Sequence, residues 1–180
     1  MATPPTFTVG QVLTAAQVNQ VGLWRITDGT FTTSTGAAVD GVFTTDFKYY
    51  VAKFHITSHS TTLGYQLRFR NAGATELGSN YTFVVITTNS SSGTTQQSVA
   101  RSQTISTLTQ TTTAAPYSFE IEFANPKAAE PSFYWYEGQP AVGNRETSNG
   151  TYNANTSFDG FIILPTAGNF TGTFRIYGYN

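Results

Sequence analysis

Apolar and polar residues alternate along most of this chain, and the alternation predicts β-strands. It is strict over 63–70 and 117–123, where every second side chain is Leu, Ile, Phe or Tyr. The intervening positions carry Gly64 or glutamine, arginine, serine and glutamate, so each strand has one buried side and one side facing solvent. Segment 81–87 is apolar on both faces and predicts a central strand. Further strands are predicted at 23–27, 49–57, 133–137, 141–148, 158–164 and 170–177.

Turn residues separate these segments. The pair Asn149-Gly150 predicts a hairpin turn, because both residues tolerate a positive φ. The stretch 94–115 is rich in Gln, Ser and Thr and has few apolar residues, so we interpret it as a long loop with at most one edge strand. Long ordered loops in small domains are often functional, which makes this stretch a candidate partner contact.

Strands at this spacing, with turns between them, predict an all-β protein. We expect an antiparallel β-sandwich, jelly-roll-like, of about eight to ten strands, with a short N-terminal helix. The composition agrees, because Thr, Tyr, Phe and Val fit a pleated, half-buried surface. The length of 180 residues suits one domain with a sizeable core.

The helix prediction lies in the leader. Thr14 can cap it, Gln17 can complete a capping box, and Gly22 can end it. About two turns of helix are too short to be stable alone, so the segment must dock on something. We therefore divide the chain into a docking segment, 1–23, and a β-sandwich domain, 24–180. The predicted docking residues, toward a neighbouring protein or subunit, are Val9, Leu13, Val18, Val21 and Trp24. Alternatively, Leu13, Val18 and Val21 plug one open end of the domain's own core.

Charge and targeting signals narrow the class of protein. Only 11% of residues are charged and the net charge is −1, which argues against binding to nucleic acid. Cysteine is absent, so neither disulfides nor a cysteine metal site is expected. The first residues lack a basic region and a following apolar run, so no signal peptide is predicted. No apolar run has the length of a membrane span. A protein without an export signal can leave the cell by another route, and cell lysis is one such route.

Candidate catalytic groups are sparse, and we predict no enzyme activity, no cofactor and no metal. His55 and His59 would lie roughly 13 Å apart on one strand, too far to share an ion. Glu120 and Glu122 lie on one face of one strand, at a spacing that resembles a glycosidase pair. We favour two alternatives over catalysis. One is plain solvation, and the other is a cross-strand ion-pair ladder with outward-facing Arg68 and Arg70, should the two strands be neighbours.

The aromatic run 133–137 is the best candidate for ligand binding. Exposed aromatic faces stack on sugar rings, and nearby amides and carboxylates bond the sugar hydroxyls. The candidate carbohydrate-binding residues are Tyr134, Trp135, Tyr136, Asn153 and Asp159. The alternative is that both faces of the run are buried, one in the sandwich and the other in a subunit interface, where Tyr and Trp are enriched.

Both ends of the chain carry a resemblance. The leader Phe-Thr-Val-Gly-Gln-Val-Leu-Thr-Ala-Ala-Gln-Val-Asn at 7–19, followed by Leu23-Trp24, resembles the start of small virion proteins of tailed bacteriophages. The ending Gly-Thr-Phe-Arg-Ile-Tyr-Gly at 172–178 is similar to their terminal strand. The two ends cover about a sixth of the chain, and no long fibre tract is present.

The resemblance implies an exterior structural protein of the virion, on tail or capsid, that contributes to host attachment. It implies assembly in the host cytoplasm, partners among the capsid, portal or tail proteins, and a homo-oligomer, with a trimer favoured. A host surface glycan is a further expected partner, and no membrane insertion is expected. The alternatives are a capsid decoration protein without a receptor role and a carbohydrate-binding module.

Overall fold

The computed structural model describes residues 9–10, 12, 22–61, 63–89, 92–112, 116–139 and 144–180. These residues form strands joined by turns and loops, so the all-β prediction is confirmed. The strands are β1 Trp24–Ser34, β2 Ala37–Val39, β3 Tyr49–His59, β4 Leu63–Asn71, β5 Ala74–Thr75, β6 Tyr81–Asn89, β7 Thr94–Gln103, β8 Ser106–Thr112, β9 Tyr117–Ala124, β10 Ser132–Gln139, β11 Asn144–Tyr152, β12 Gly160–Pro165 and β13 Phe170–Tyr179.

The strands form two antiparallel sheets, which pack as a sandwich. The large sheet has eight strands in the order β1-β13-β3-β9-β10-β11-β6-β7. The small sheet runs β2-β12-β4-β5, and β8 also pairs with β4. Because β12 occupies one edge of β4, β5 and β8 share the other edge, at opposite ends of that strand.

Aromatic rings fill the space between the sheets. Phe54 stacks on Phe119 at 4.9 Å within the large sheet, and Phe123 meets Phe161 of the small sheet at 4.9 Å. Phe43, from the loop after β2, contacts rings of both sheets. Fully burying one such side chain is worth roughly 1.5–3 kcal/mol, so these rings account for much of the fold's stability.

Two hairpins widen the large sheet on one side. The β6–β7 hairpin lies between β5 and β8 in the chain, and the β10–β11 hairpin lies between β9 and β12. Both attach beyond β9, in the order β9-β10-β11-β6-β7. The run that contains Trp135 therefore belongs to this extension of the sheet.

The prediction of a long loop over 94–115 is wrong over most of its length, because the described part contains both β7 and β8. The one edge strand that was expected is present, since β7 pairs only with β6 among the described residues. Its side chains are exposed almost throughout, so no apolar period marks it. Strand β8 was not predicted because two of its buried residues, Ser106 and Thr109, are polar. Both are fully buried beside Leu108, so the sequence shows no apolar period there.

The prediction of a hairpin turn at Asn149-Gly150 is also wrong, because both residues lie inside β11. A Cβ atom on Gly150 would lie 2.6 Å from the Tyr134 hydroxyl and 2.7 Å from the Thr82 carbonyl oxygen. Glycine is thus required here for close packing rather than for a turn.

The predicted ion-pair ladder is contradicted by the topology, because β4 and β9 belong to different sheets. Arg70 instead forms a two-pronged ion pair with Asp40, with N···O distances of 2.6 and 3.1 Å. Glu120 pairs with Lys53 on the neighbouring β3, at 2.8 Å. Opposite charges thus face each other across strands of the large sheet, with Lys53 rather than an arginine opposite Glu120.

The sandwich begins at Trp24, the first residue of β1. The helix predicted from Thr14 to the residues before Gly22 lies outside the described residues. Among the described residues, no helix is long and apolar enough to cross a membrane.

Candidate functional site

Strand β10 presents aromatic residues to both faces of the large sheet. Tyr134 is fully buried and Tyr136 is 2% exposed, so both rings belong to the core. On the opposite face, Phe133 is 40% exposed and Trp135 is 47% exposed. The outer face of the large sheet is therefore the place where this chain offers aromatic rings to solvent.

Trp135 lies in the middle of a row that crosses the whole sheet. Its cross-strand neighbours are Glu122 on β9 and Asn149 on β11. Directly opposed residues of antiparallel strands have Cβ atoms about 4.5–5.5 Å apart, so these side chains flank the indole. The complete Trp135 row is Arg25, Tyr177, Val51, Glu122, Trp135, Asn149, Val84 and Val99.

The adjacent Phe133 row adds aromatic and hydroxyl groups. It consists of Tyr179, Tyr49, Ala124, Phe133, Thr151 and Thr82. Tyr49 and Tyr179 stack at 5.2 Å. At the other end of the row, Asn153 donates to the Thr82 hydroxyl at 3.0 Å and accepts from the Thr151 hydroxyl at 2.7 Å. Asn153 thus lies on the same side of the sheet as Trp135.

Glu122 differs from the other carboxylates on this face. Glu120 pairs with Lys53 at 2.8 Å, and Glu137 pairs with Arg145 at 2.8 Å. None of the ion pairs in the described part of the chain involves Glu122, whose Oε1 atom accepts a hydrogen bond from the Tyr179 hydroxyl. Glu122 is therefore a carboxylate beside Trp135 that no cation of the described residues pairs with.

A shallow open groove of about 870 Å³ lies on the same face, on the side of Glu120 and Glu137. Its polar lining includes Lys53, His55, Glu120, Glu137, Gln139 and Arg175. Tyr177 belongs both to this lining and to the Trp135 row. The groove and the row therefore form one continuous surface.

The other predicted carbohydrate-binding residues lie elsewhere. The hydroxyl of Tyr134 bonds with Ser106, and that of Tyr136 bonds with Tyr117, both inside the sandwich. Neither ring can therefore stack on a ligand at the surface. Asp159 precedes β12 of the small sheet, and its Oδ2 atom accepts from the Ala72 amide at 2.9 Å. Of the five candidates, the fold brings Trp135 and Asn153 together.

Sequence reasoning missed Glu122 and Asn149 as neighbours of Trp135. The outward position of Glu122 was visible in the alternation of 117–123, but the pairing of β9 with β10 was not. Asn149 was assigned to a turn, which hid its place in a strand.

The core also contains an ionisable group. Glu146 on β11 faces inward and is 1% exposed, and its Oε1 atom accepts from the Thr87 hydroxyl at 3.3 Å. Burial raises the pKa of this carboxyl to about 7, and the Thr87 hydrogen bond partly offsets the effect. Within the described residues, no group of three or more His, Cys, Asp or Glu residues is arranged to hold a metal ion.

Of the five predicted docking residues, the structure describes Val9 and Trp24. Val9 is fully exposed. Trp24 is half-buried and packs against the core of its own domain. Leu13, Val18 and Val21 lie outside the described residues.

Searches for similar proteins give no relative from which a role could be transferred. No protein-family model, no curated protein and no solved structure matches this chain.

Proposed function

We propose that this chain is an exterior structural protein of a tailed-bacteriophage virion, on tail or capsid, that contributes to host attachment. The observation that carries the proposal is the order of the strands. Leaving out β5 and the two hairpins β6–β7 and β10–β11, eight strands remain. Numbered along the chain, they run first, eighth, third, sixth in the large sheet and second, seventh, fourth, fifth in the small one.

That order is the jelly-roll order, which supports the finer fold prediction. Jelly rolls are common in viral capsid proteins and in lectins. A fold alone does not define a function, so the proposal also uses the two ends of the chain. Their resemblance to phage virion proteins supports the viral alternative over the lectin alternative.

The leader supplies the proposed attachment to the particle. In this proposal 1–23 docks on a capsid, portal or tail protein and the sandwich points outward, with a trimer as the expected oligomer. Low charge and abundant Thr suit a durable exterior protein that assembles in the host cytoplasm and leaves by lysis.

Deletion of residues 1–21 tests this arrangement. The truncated protein should keep the circular dichroism spectrum of the sandwich but should be lost from purified particles. A truncated protein that still enters particles at the full-length level would remove the leader from the docking role.

A capsid decoration protein without a receptor role is the alternative within this proposal. Particles that lack the protein decide between the two. Slower adsorption to host cells with unchanged particle stability favours attachment, whereas unchanged adsorption with earlier thermal disruption favours decoration.

A carbohydrate-binding module is the second candidate function. The observation that favours it is the exposed ring of Trp135. This ring lies on the outer face of the large sheet, between the polar side chains of Glu122 and Asn149. The two functions are compatible, because attachment to a host surface can consist of binding a glycan.

A further inference from the structure

We propose that the Trp135 row binds an uncharged sugar ring, which stacks on the indole between Glu122 and Asn149, and that it rejects anionic glycans. The inference deepens the proposed attachment role by naming the ligand class and the residues that select it. It rests on the geometry of the outer face rather than on the position of the protein in a particle.

The first step concerns the aromatic surface. The alternation of β10 turns the Trp135 side chain away from the core, and nearly half of its surface is open to solvent. A stacked ring on this sheet would extend over the strands on either side, because neighbouring strands lie only about 4.8 Å apart. It would therefore reach the side chains of β9 and β11 at the same time.

The second step concerns hydrogen bonding on the two flanks. An ionised carboxylate only accepts hydrogen bonds, whereas an amide both donates and accepts. One oxygen of Glu122 takes the Tyr179 hydroxyl, and no hydrogen bond to its other oxygen occurs within the described residues. Asn149 is exposed at the opposite flank. Sugar hydroxyls both donate and accept, so they match this pair of flanks better than an ester, an alkyl chain or a carboxylate would.

The third step extends the surface to a second ring. Phe133 lies two residues from Trp135 on the same strand, a distance of about 6.8 Å along it. Beside it stand the hydroxyls of Thr151 and Thr82 with the amide of Asn153. A second exposed aromatic ring with polar groups beside it thus lies next to the first, which fits an oligosaccharide better than a single sugar.

The fourth step concerns charge. Two basic side chains on this face, Lys53 and Arg145, are paired with Glu120 and Glu137. A third, Arg175, lies three strands away from Trp135 on β13, between Asp28 and Lys53. The carboxylate of Glu122 is not paired in this way. A sialic acid, uronic acid or phosphate placed on Trp135 would be repelled by the negative charge of Glu122. Binding sites commonly use a like charge of this kind to reject the wrong ligand.

The experiment uses the purified full-length chain and four sets of probes: neutral hexose oligosaccharides, neutral N-acetylhexosamine oligosaccharides, sialylated oligosaccharides and choline. Binding is measured by ligand-observed NMR and by quenching of tryptophan fluorescence. We expect binding of at least one neutral set and at least about tenfold weaker binding of its sialylated counterpart, a difference near 1.4 kcal/mol.

Three variants locate the site. Trp135→Ala should weaken neutral binding at least about tenfold, and Trp135→Phe should recover part of the loss, because a smaller aromatic face remains. Glu122→Gln keeps the shape and an accepting oxygen but removes the charge. It should narrow the difference in affinity between the neutral probe and its sialylated counterpart, because the sialylated probe no longer meets a like charge. Leu77→Ala, which trims another exposed apolar residue away from this row, is the matched control and should change nothing.

Four results would overturn the inference. They are no binding by any neutral probe, equal binding by Trp135→Ala with an unchanged thermal melt, preference for the sialylated probe, and binding of choline alone. Failure of the proposed function is separate, because it appears as absence of the protein from purified particles. If the protein binds neutral glycans through Trp135 but is missing from purified phage particles, this inference is supported and the proposed virion role is contradicted.

Discussion

The inner and outer faces of the large sheet both carry aromatic residues, yet they have different surroundings. Tyr134 and Tyr136 belong to the buried core, and their hydroxyls are bonded inside the sandwich. Phe133 and Trp135, from the same strand, face solvent. An aromatic run is thus evidence of two separate roles, since one set of rings stabilises the fold and the other is free to meet a partner.

The largest difference is expected from truncating one ring on each face. Tyr134→Ala should lower the free energy of unfolding by about 3–5 kcal/mol, because it leaves a cavity in a dense core. Trp135→Ala should lower it by less, about 1–2 kcal/mol, because nearly half of that side chain is already in solvent. Denaturant unfolding of both variants measures the contrast. Equal losses would mean that Trp135 is packed against something in the folded protein.

The next largest effect concerns the two neighbouring positions of β11. Gly150→Ala should cost about 1–3 kcal/mol of stability, because the new methyl group would meet the Tyr134 hydroxyl and the Thr82 carbonyl oxygen. Asn149→Ala, one position away on the outer face, should cost little. Thermal melts compare the pair. A neutral effect of Gly150→Ala would show that Tyr134 can move aside.

The two faces can also be compared through the pH dependence of stability, because Glu146 lies on the inner face and Glu137 on the outer face. The pKa of Glu146 in the folded protein is about 7, above its ordinary value of 4.5. The folded state therefore holds its proton more tightly than the unfolded state, so the stability from this group is present below pH 4.5 and is lost as the pH rises to 7. Glu146→Gln should remove this loss, on the order of 1 kcal/mol or more at pH 7.5.

Denaturation at pH 5 and pH 7.5 checks that prediction. The parent chain should lose stability between the two values, and the Glu146→Gln variant should lose less. Glu137→Gln, on the exposed outer face, should keep the parent's pH dependence. A Glu146→Gln variant with the parent's slope would assign the pH dependence to another group.

The smallest effect is expected from the outer-face ion pair between Lys53 and Glu120. Both side chains are about half exposed, so water and salt screen their attraction. A double-mutant cycle with Lys53→Met and Glu120→Gln should give a coupling of about 0–1 kcal/mol, and it should shrink further in 1 M salt. A larger, salt-insensitive coupling would indicate that this face is covered in solution.

Much of the fold could be predicted, because apolar and polar residues alternate in every strand that has one buried face and one solvent-exposed face. Strands β4 and β9 were visible in this way. Strand β7 was not, because both of its faces are exposed, and β8 was not, because its buried positions include Ser106 and Thr109. At the candidate site the same logic placed Trp135 on the face opposite to Tyr134 and Tyr136, but it could not say which of the two faces was the core.

The sequence by itself determined the all-β character of this chain and the division of each aromatic strand into two faces, because side chains alternate along any extended backbone. Only the tertiary structure decided which strands became neighbours. Strands β9, β10 and β11 follow one another in the chain, but alternation alone does not fix the register in which they pair. The pairings of β3 with β9 and of β6 with β11 join residues that are distant in the chain, and no local pattern encodes them. The placement of Glu122 and Asn149 on either side of Trp135, and of a glycine beneath Tyr134, follows from that register alone.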